Sequence, residues 1–465
     1  MKSEAKLFFA AQAWIQGTWA RDVLLGVAAD GTWCQVQPHA GAQQREDATR
    51  LDAPVLPGLV NAHSHAFQRA IAGLTERSSS GAQASDDFWS WRDRMYSAAN
   101  RITPDQLEAI ASQLYTELQA GGYTQVCEFH YLHNDVDGAA YANPYEMSLA
   151  LVRAAQRTGM GLTLLPTLYM RSGFTATGLR DDQRRFASTP DSIVRIVESV
   201  QRHTAADPRI NVGIALHSLR AVAPAAMQEL ADYARSHSLP VHIHIAEQTQ
   251  EVDDCIAHTG QRPIAWLLAH ADVDARWNLV HATHTTPAEL AGVQHAGASI
   301  VICPATEANL GDGVFDLPGY AAVAGRWSIG SDSHVTRSWT EELRLLEYSQ
   351  RLSLRKRNVA AQALNQESSA NAMVEAALSG GVPATGRPLA GIAVGQRADF
   401  VTLDSRSPAL LGIPPEHVLD ALVFSSSGSG RNFERVFVGG KQLALDSLQA
   451  AVSAPFGRAM RELWA

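Results

Sequence analysis

Between residues 55 and 334 the chain alternates short apolar runs with longer segments of helical spacing. The runs are VLPGLVNAH (55–63), YTQVCEFH (123–130), GLTLLPTLY (161–169), NVGIALHS (211–218), PVHIHIAE (240–247), WNLVHATH (277–284), ASIVICP (298–304) and WSIGSDSH (327–334). The segments between them carry helix punctuation. In TPDQLEAIASQLYTELQAGG, Thr103 is an N-cap, Pro104 sits in the first turn and Gly121-Gly122 ends the pattern. TPDSIVRIVESVQRH and TPAELAGVQHAG repeat that grammar. Strand-like runs that alternate with helices predict a parallel sheet. Eight of them is the number that closes a (β/α)8 TIM-type barrel, against the alternative of an open doubly wound sheet.

The two ends of the chain read differently. KLFFAAQAWI and DVLLGVAADGTWCQVQP are strand-like, the second broken by the hairpin signal Asp30-Gly31. Near the other end, GQRADFVTLD and RVFVGGKQLAL alternate with period two, with Gly439-Gly440 as a turn. The pattern predicts an α/β protein with a small β-sandwich domain built from both ends, residues 1–56 and 386–465, around a barrel of residues 57–385. The segments PLAGIAVGQ and FERVFVGGKQL suit either a cap on that sandwich or the interface of a homodimer.

Composition narrows the class. The 465 residues are 46% hydrophobic and 18% charged, ordinary for a globular chain, and the formal charge of −9 argues against a nucleic-acid binder. No apolar run is long enough to cross a bilayer. The four cysteines are widely spaced, with no CxxC pair, and the start has no signal-peptide layout, so a reducing cytoplasm is the expected setting.

Chemistry enters where the runs end. The first ends in His63 and His65, the second in Glu128, His130 and Tyr131, and the fourth in His217 with Arg220 just beyond. The fifth supplies His242, His244 and Glu247, the sixth His281 and His284, and the eighth Asp332 and His334. With 17 histidines, a His-x-His pair arises by chance about 0.6 times in such a chain, so His63/His65 alone carries little weight. Asp332 alone would be read as a helix N-cap. Their conjunction at strand ends is what matters, because a barrel brings those ends to one rim. Three imidazoles and a carboxylate suit one divalent first-row ion, Zn²⁺ first and Fe²⁺ as the alternative. Bound zinc lowers the pKa of water from about 15.7 to about 7, which points to metal-assisted hydrolysis.

These pieces resemble the amidohydrolase superfamily: PGLVNAHSH, HIHIAE, VHATH and IGSDSH. The resemblance covers essentially the whole chain. It implies His63, His65, His244 and Asp332 as metal ligands, with His281 beside the metal polarising the substrate. His242 shares a strand face with His244, and its exclusion rests on the resemblance. The fourth run, IALHSLRAV, lacks the lysine that members with two metals use as a bridge, which implies a single metal. Glu247 in HxxE is similar to the deaminase branch, where it shuttles protons to a leaving amine.

A finer resemblance is to the N-formimino-L-glutamate deiminase family. It is carried by NAHSHAFQRAIAGLTER, FWSWRDRMY, EFHYLHND, LHSLRAV and CPATEANLGDG. It implies a small dianionic substrate held by Gln68, Arg92, Tyr131, His217 and Arg220. Arginine grips carboxylates in a bidentate manner, which fits that set. Asn309 is open between facing the pocket and serving a turn. The implied reaction is hydrolysis of the formimino group to N-formyl-L-glutamate and ammonia, in histidine degradation. Asp332 and Glu247 would move protons, and His281 would steady the developing charge. The main alternative is another mononuclear-metal deaminase acting on a nucleobase or nucleoside, whose site would want more aromatic stacking and fewer cations. A barrel that has lost its metal and its catalysis is the other.

Overall fold

A computed structural model describes residues 5–77, 87–426 and 432–465. Each of the eight apolar runs supplies a barrel strand, in the order Leu59–Ser64, Tyr123–His130, Gly161–Leu168, Ile214–Ser218, Val241–Ile245, Trp277–His281, Ser299–Ile302 and Arg326–Ile329, the last starting one residue before its run. They are called the first to eighth strands below. Neighbours pair in parallel, with helices between them. The ring closes between the eighth strand's end and the first: the Asp332 amide donates to His63 O (3.0 Å) and the His65 amide to Asp332 O (3.2 Å). Candidate metal-binding residues thus close the barrel.

Two runs are divided by glycine. In the first, Val55–Pro57 leaves the barrel and pairs with strands from both chain ends, before Gly58 turns the chain into the first strand. A Cβ on Gly58 would stand 2.3 Å from the Thr124 side chain. In the fourth, Ile210–Val212 pairs with the third strand, and Gly213 precedes the fourth strand itself.

The chain ends meet, as their alternation predicts. Lys6–Ile15, Thr18–Val27 and Trp33–Gln37 pair antiparallel, and Phe400–Leu403 pairs antiparallel with both Val55–Pro57 and Phe433–Val438. Asp30-Gly31 and Gly439-Gly440 occupy turns, with positive φ at all three glycines, where other residues would be strained. This sheet has its own core of Phe8, Trp33, Phe400 and Phe437, the last two stacked 4.1 Å apart. The last helix, Leu445–Trp464, packs on helix Pro104–Ala120 of the barrel. Among the described residues no helix is long and apolar enough to cross a membrane, and all four cysteines are unpaired.

Candidate active site

At the rim formed by the strand ends, imidazole nitrogens converge. His63 Nε2 lies 3.1 Å from His65 Nε2 and 3.0 Å from His244 Nε2. Asp332 Oδ1 is 3.5 Å from His63 Nε2 and 3.4 Å from His65 Nε2. Residues i and i+2 of a strand share a face, which is how His63 and His65 reach one point. His242 shares its face with His244 but sits one pleat repeat deeper, where its Nε2 donates to Ala384 O (2.8 Å). That position removes it from the cluster.

Hydrogen bonds fix how these rings present themselves. His65 Nδ1–H donates to Phe129 O (2.8 Å) and His244 Nδ1–H to His217 O (3.0 Å), so each ring turns its Nε2 lone pair inward. Burial pushes His63 down to about 3 and lowers His65 and His244 as well, which keeps all three rings neutral. Neutral imidazoles are the form that binds metal. Lone pairs facing one another across 3 Å repel unless a cation lies between them, and Asp332 adds a negative charge. Burial opposes that charge, but the imidazoles around it outweigh burial and hold the carboxyl below its usual range, with His281 the ring whose own pKa is raised. The donor set therefore fits one divalent cation with room for water.

Around this cluster stand groups able to move protons. His281 Nε2 is 3.8 Å from Glu247 Oε1 and 3.9 Å from Asp332 Oδ2, while its Nδ1 faces Glu307 Oε1 at 3.3 Å. Burial disfavours the imidazolium, but Glu247, Glu307 and Asp332 outweigh it and raise the His281 pKa. Glu247 is raised chiefly by burial, toward a value where it can both take and give a proton near neutrality.

The cluster opens into a cavity. Gln68, Arg92, Tyr131, His217 and Arg220 all line it, together with His65, His244, Glu247, His281 and Asp332, while His63 lies buried beneath. Gln68 Nε2 donates to Tyr131 Oη (3.3 Å). Arg92 reaches the cavity from helix Phe88–Ala99, which Asp87 starts by accepting the amides of Trp89 and Ser90. Arg220 lies in the loop after the fourth strand. Arg171 ties that loop down by donating to Leu219 O (3.0 Å), Arg220 O (3.1 Å) and Val222 O (3.0 Å).

The two arginines have little to hold. Their side chains are only 14% and 11% exposed, yet the nearest carboxylate oxygens are 3.8 Å (Asp93) and 3.9 Å (Glu251) away. Neither Nε has a hydrogen-bond partner among the described residues. By contrast, Arg69 grips Glu117 with two bonds of 2.7 and 2.9 Å. Both site guanidiniums lean on the Trp89 ring, at 4.5 and 5.6 Å. Buried cations with unspent donors demand an anionic partner.

Some of the surroundings carried no sequence signal. Tyr96 and Tyr169 line the cavity, with hydroxyls 3.1 Å apart and both bonded by Gln183. The helical spacing of Phe88, Arg92, Met95 and Tyr96 could have revealed one face turned to the pocket. Glu128, placed at the second strand's end by sequence, accepts from Ser64 Oγ (2.7 Å) and so braces the end of the first strand between His63 and His65. Asn309 falls outside this cavity and donates to Glu76 (3.0 Å).

Comparisons with known proteins agree with this geometry. The amidohydrolase family pattern matches residues 55–443. Formimidoylglutamate deiminase of Pseudomonas aeruginosa is 45% identical over 444 residues, 95% of each chain. The crystal structure of an amidohydrolase from Brucella melitensis, 42% identical, has a TM-score of 0.91 and covers 99% of this chain and 100% of that one. A zinc-bound adenosine deaminase from Xanthomonas campestris shares the fold at a TM-score of 0.77 and 22% identity, with 98% of both chains covered.

Proposed function

The chain belongs to the amidohydrolase family, and on that premise we propose that it hydrolyses N-formimino-L-glutamate to N-formyl-L-glutamate and ammonia. The observation that carries the substrate is the pair of mostly buried arginines, Arg92 and Arg220, facing the cavity that holds the histidine cluster. A substrate with two carboxylates supplies what both guanidiniums lack. The similarity to the Pseudomonas aeruginosa enzyme supports the same reading. A nucleoside offers the arginines no such anion.

His63, His65, His244 and Asp332 would hold one divalent metal ion, with zinc the first candidate. When bound there, the ion supplies Lewis acidity that makes hydroxide available from water near neutral pH. The chain's own groups do the rest. Arg92 and Arg220 bind the carboxylates, with Gln68, Tyr131 and His217 completing the pocket, so that remote binding energy places the formimino carbon beside the cluster. Asp332 Oδ2, facing His281 Nε2, accepts the proton lost by the attacking water. Glu247 delivers a proton to the nitrogen that leaves as ammonia; the C–N bond then breaks, with Asp332 giving its proton to the departing ammonia while the new hydroxyl returns one to Glu247 as the formyl C=O forms. The protonated His281, steadied by Glu307, donates a hydrogen bond to the charge that develops at the carbon centre.

A substrate panel tests this reading. Turnover of N-formimino-L-glutamate should exceed that of a formimino compound lacking one carboxylate by about 10²-fold or more in kcat/KM, and adenosine should give none. Equal turnover of the monoanion, or faster turnover of adenosine, would remove the dianion from the account.

A further inference from the structure

The fifth strand ends in a forced turn. Ala246, the next residue, has φ +52°, a left-handed conformation that side chains other than glycine rarely adopt. That turn directs Glu247 into the cavity. Strain of this kind persists only where the surroundings hold it.

Glu251 is what holds it. Its side chain is fully buried, with Oε1 accepting the Ala246 amide (3.3 Å) and Oε2 the Glu247 amide (3.2 Å). The same Oε2 faces Arg220 Nη2 at 3.9 Å. Glu251 occupies the third position of helix Thr249–Thr259, where an acidic residue is ordinarily explained by the helix dipole or by a bond back to the N-cap amide. Here the carboxylate reaches past the N-cap, Gln248, to the two amides before it. We propose that Glu251 is a positioning residue: it fixes the turn that presents Glu247 and the direction of Arg220, and so couples the proton-transfer end of the cavity to its anion-binding end. This rests on the roles given above to Glu247 and Arg220.

The isosteric Glu251→Gln separates this from simple packing. One amide group cannot accept both backbone N–H bonds, because its NH₂ must face one of them, and the charge beside Arg220 is lost. A displacement of about 1 Å at a reacting group is worth about 10²-fold in rate. The experiment measures kcat and KM for N-formimino-L-glutamate in zinc-loaded wild type, E251Q, Arg220→Ala and the double variant, with zinc content and melting temperature as controls. E251Q should lose about 10- to 100-fold in kcat and raise KM, at unchanged zinc content. In the Arg220→Ala background the KM effect should vanish while the kcat loss remains. If E251Q does not fold, Ala246→Gly/E251Q should, because glycine accepts the turn unstrained, and the kcat loss should persist. Values of kcat and KM within about twofold of wild type, or KM effects that add in full, would overturn the proposal. An inactive wild type would overturn the substrate reading instead. The crystal structure of E251Q then decides: a relaxed Ala246 turn with Glu247 displaced supports the positioning role, and an unchanged turn refutes it.

Discussion

Arg220 stands two residues past the fourth strand, and apart from the resemblance carried by LHSLRAV nothing in its sequence neighbourhood separates it from a surface charge. The structure buries it, sets Glu251 at 3.9 Å as its nearest carboxylate and leaves its Nε without a partner among the described residues. Removing it should therefore strike binding of the dianion first. Arg220→Ala should raise KM about 30- to 1,000-fold, equivalent to about 2–4 kcal/mol, with a smaller fall in kcat measured at saturation. His63 makes the complementary case. It is fully buried, and its Nε2 touches both His65 and His244. His63→Ala should abolish stoichiometric zinc in elemental analysis while the protein stays folded by circular dichroism. Full zinc content in that variant would remove His63 from the metal site. At this scale the sequence spoke through the conjunction of histidines at several strand ends, not through HxH alone, since His242 of the second such pair bonds Ala384 O away from the cluster. It was silent on Glu251 and Glu307, whose parts depend on which loops and helices meet.

At the scale of elements, every apolar run became a barrel strand, because a strand buried on both faces leaves a pattern a reader can see. Glycines set details the pattern missed. Gly58 and Gly213 divide two runs that read as continuous. Gly330 matters more directly. A Cβ there would meet His63 Cβ at 2.6 Å and the His63 backbone nitrogen at 2.9 Å, atoms that cannot swing aside. Gly330→Ala should destabilise the protein by about 1–3 kcal/mol and weaken zinc retention, read as a lower melting temperature and faster loss of zinc to a chelator. Unchanged stability and retention would show that the seam between the eighth and first strands tolerates a shift. The left-handed residues Ala246, His281, Ala282, Asp332 and His334 gather at these same strand ends. Such strain is invisible in a sequence, since none of these residues is glycine.

For the molecule as a whole, the sheet from the two chain ends fastens a barrel whose rim carries the chemistry. The alternation of the ends suggested that they pair, and Phe400–Leu403 beside Val55–Pro57 is where they do. Only three dimensions show that barrel closure and the candidate metal site use the same residues, through the bonds of Asp332 to His63 and His65. Metal and barrel seam should therefore support each other. The most direct measurement is ammonia release from N-formimino-L-glutamate by protein stripped with a chelator and then titrated with Zn²⁺. Release should be negligible after stripping and recover in full at one equivalent of zinc per chain. Undiminished release from stripped protein, or none at any zinc level, would contradict zinc-dependent hydrolysis.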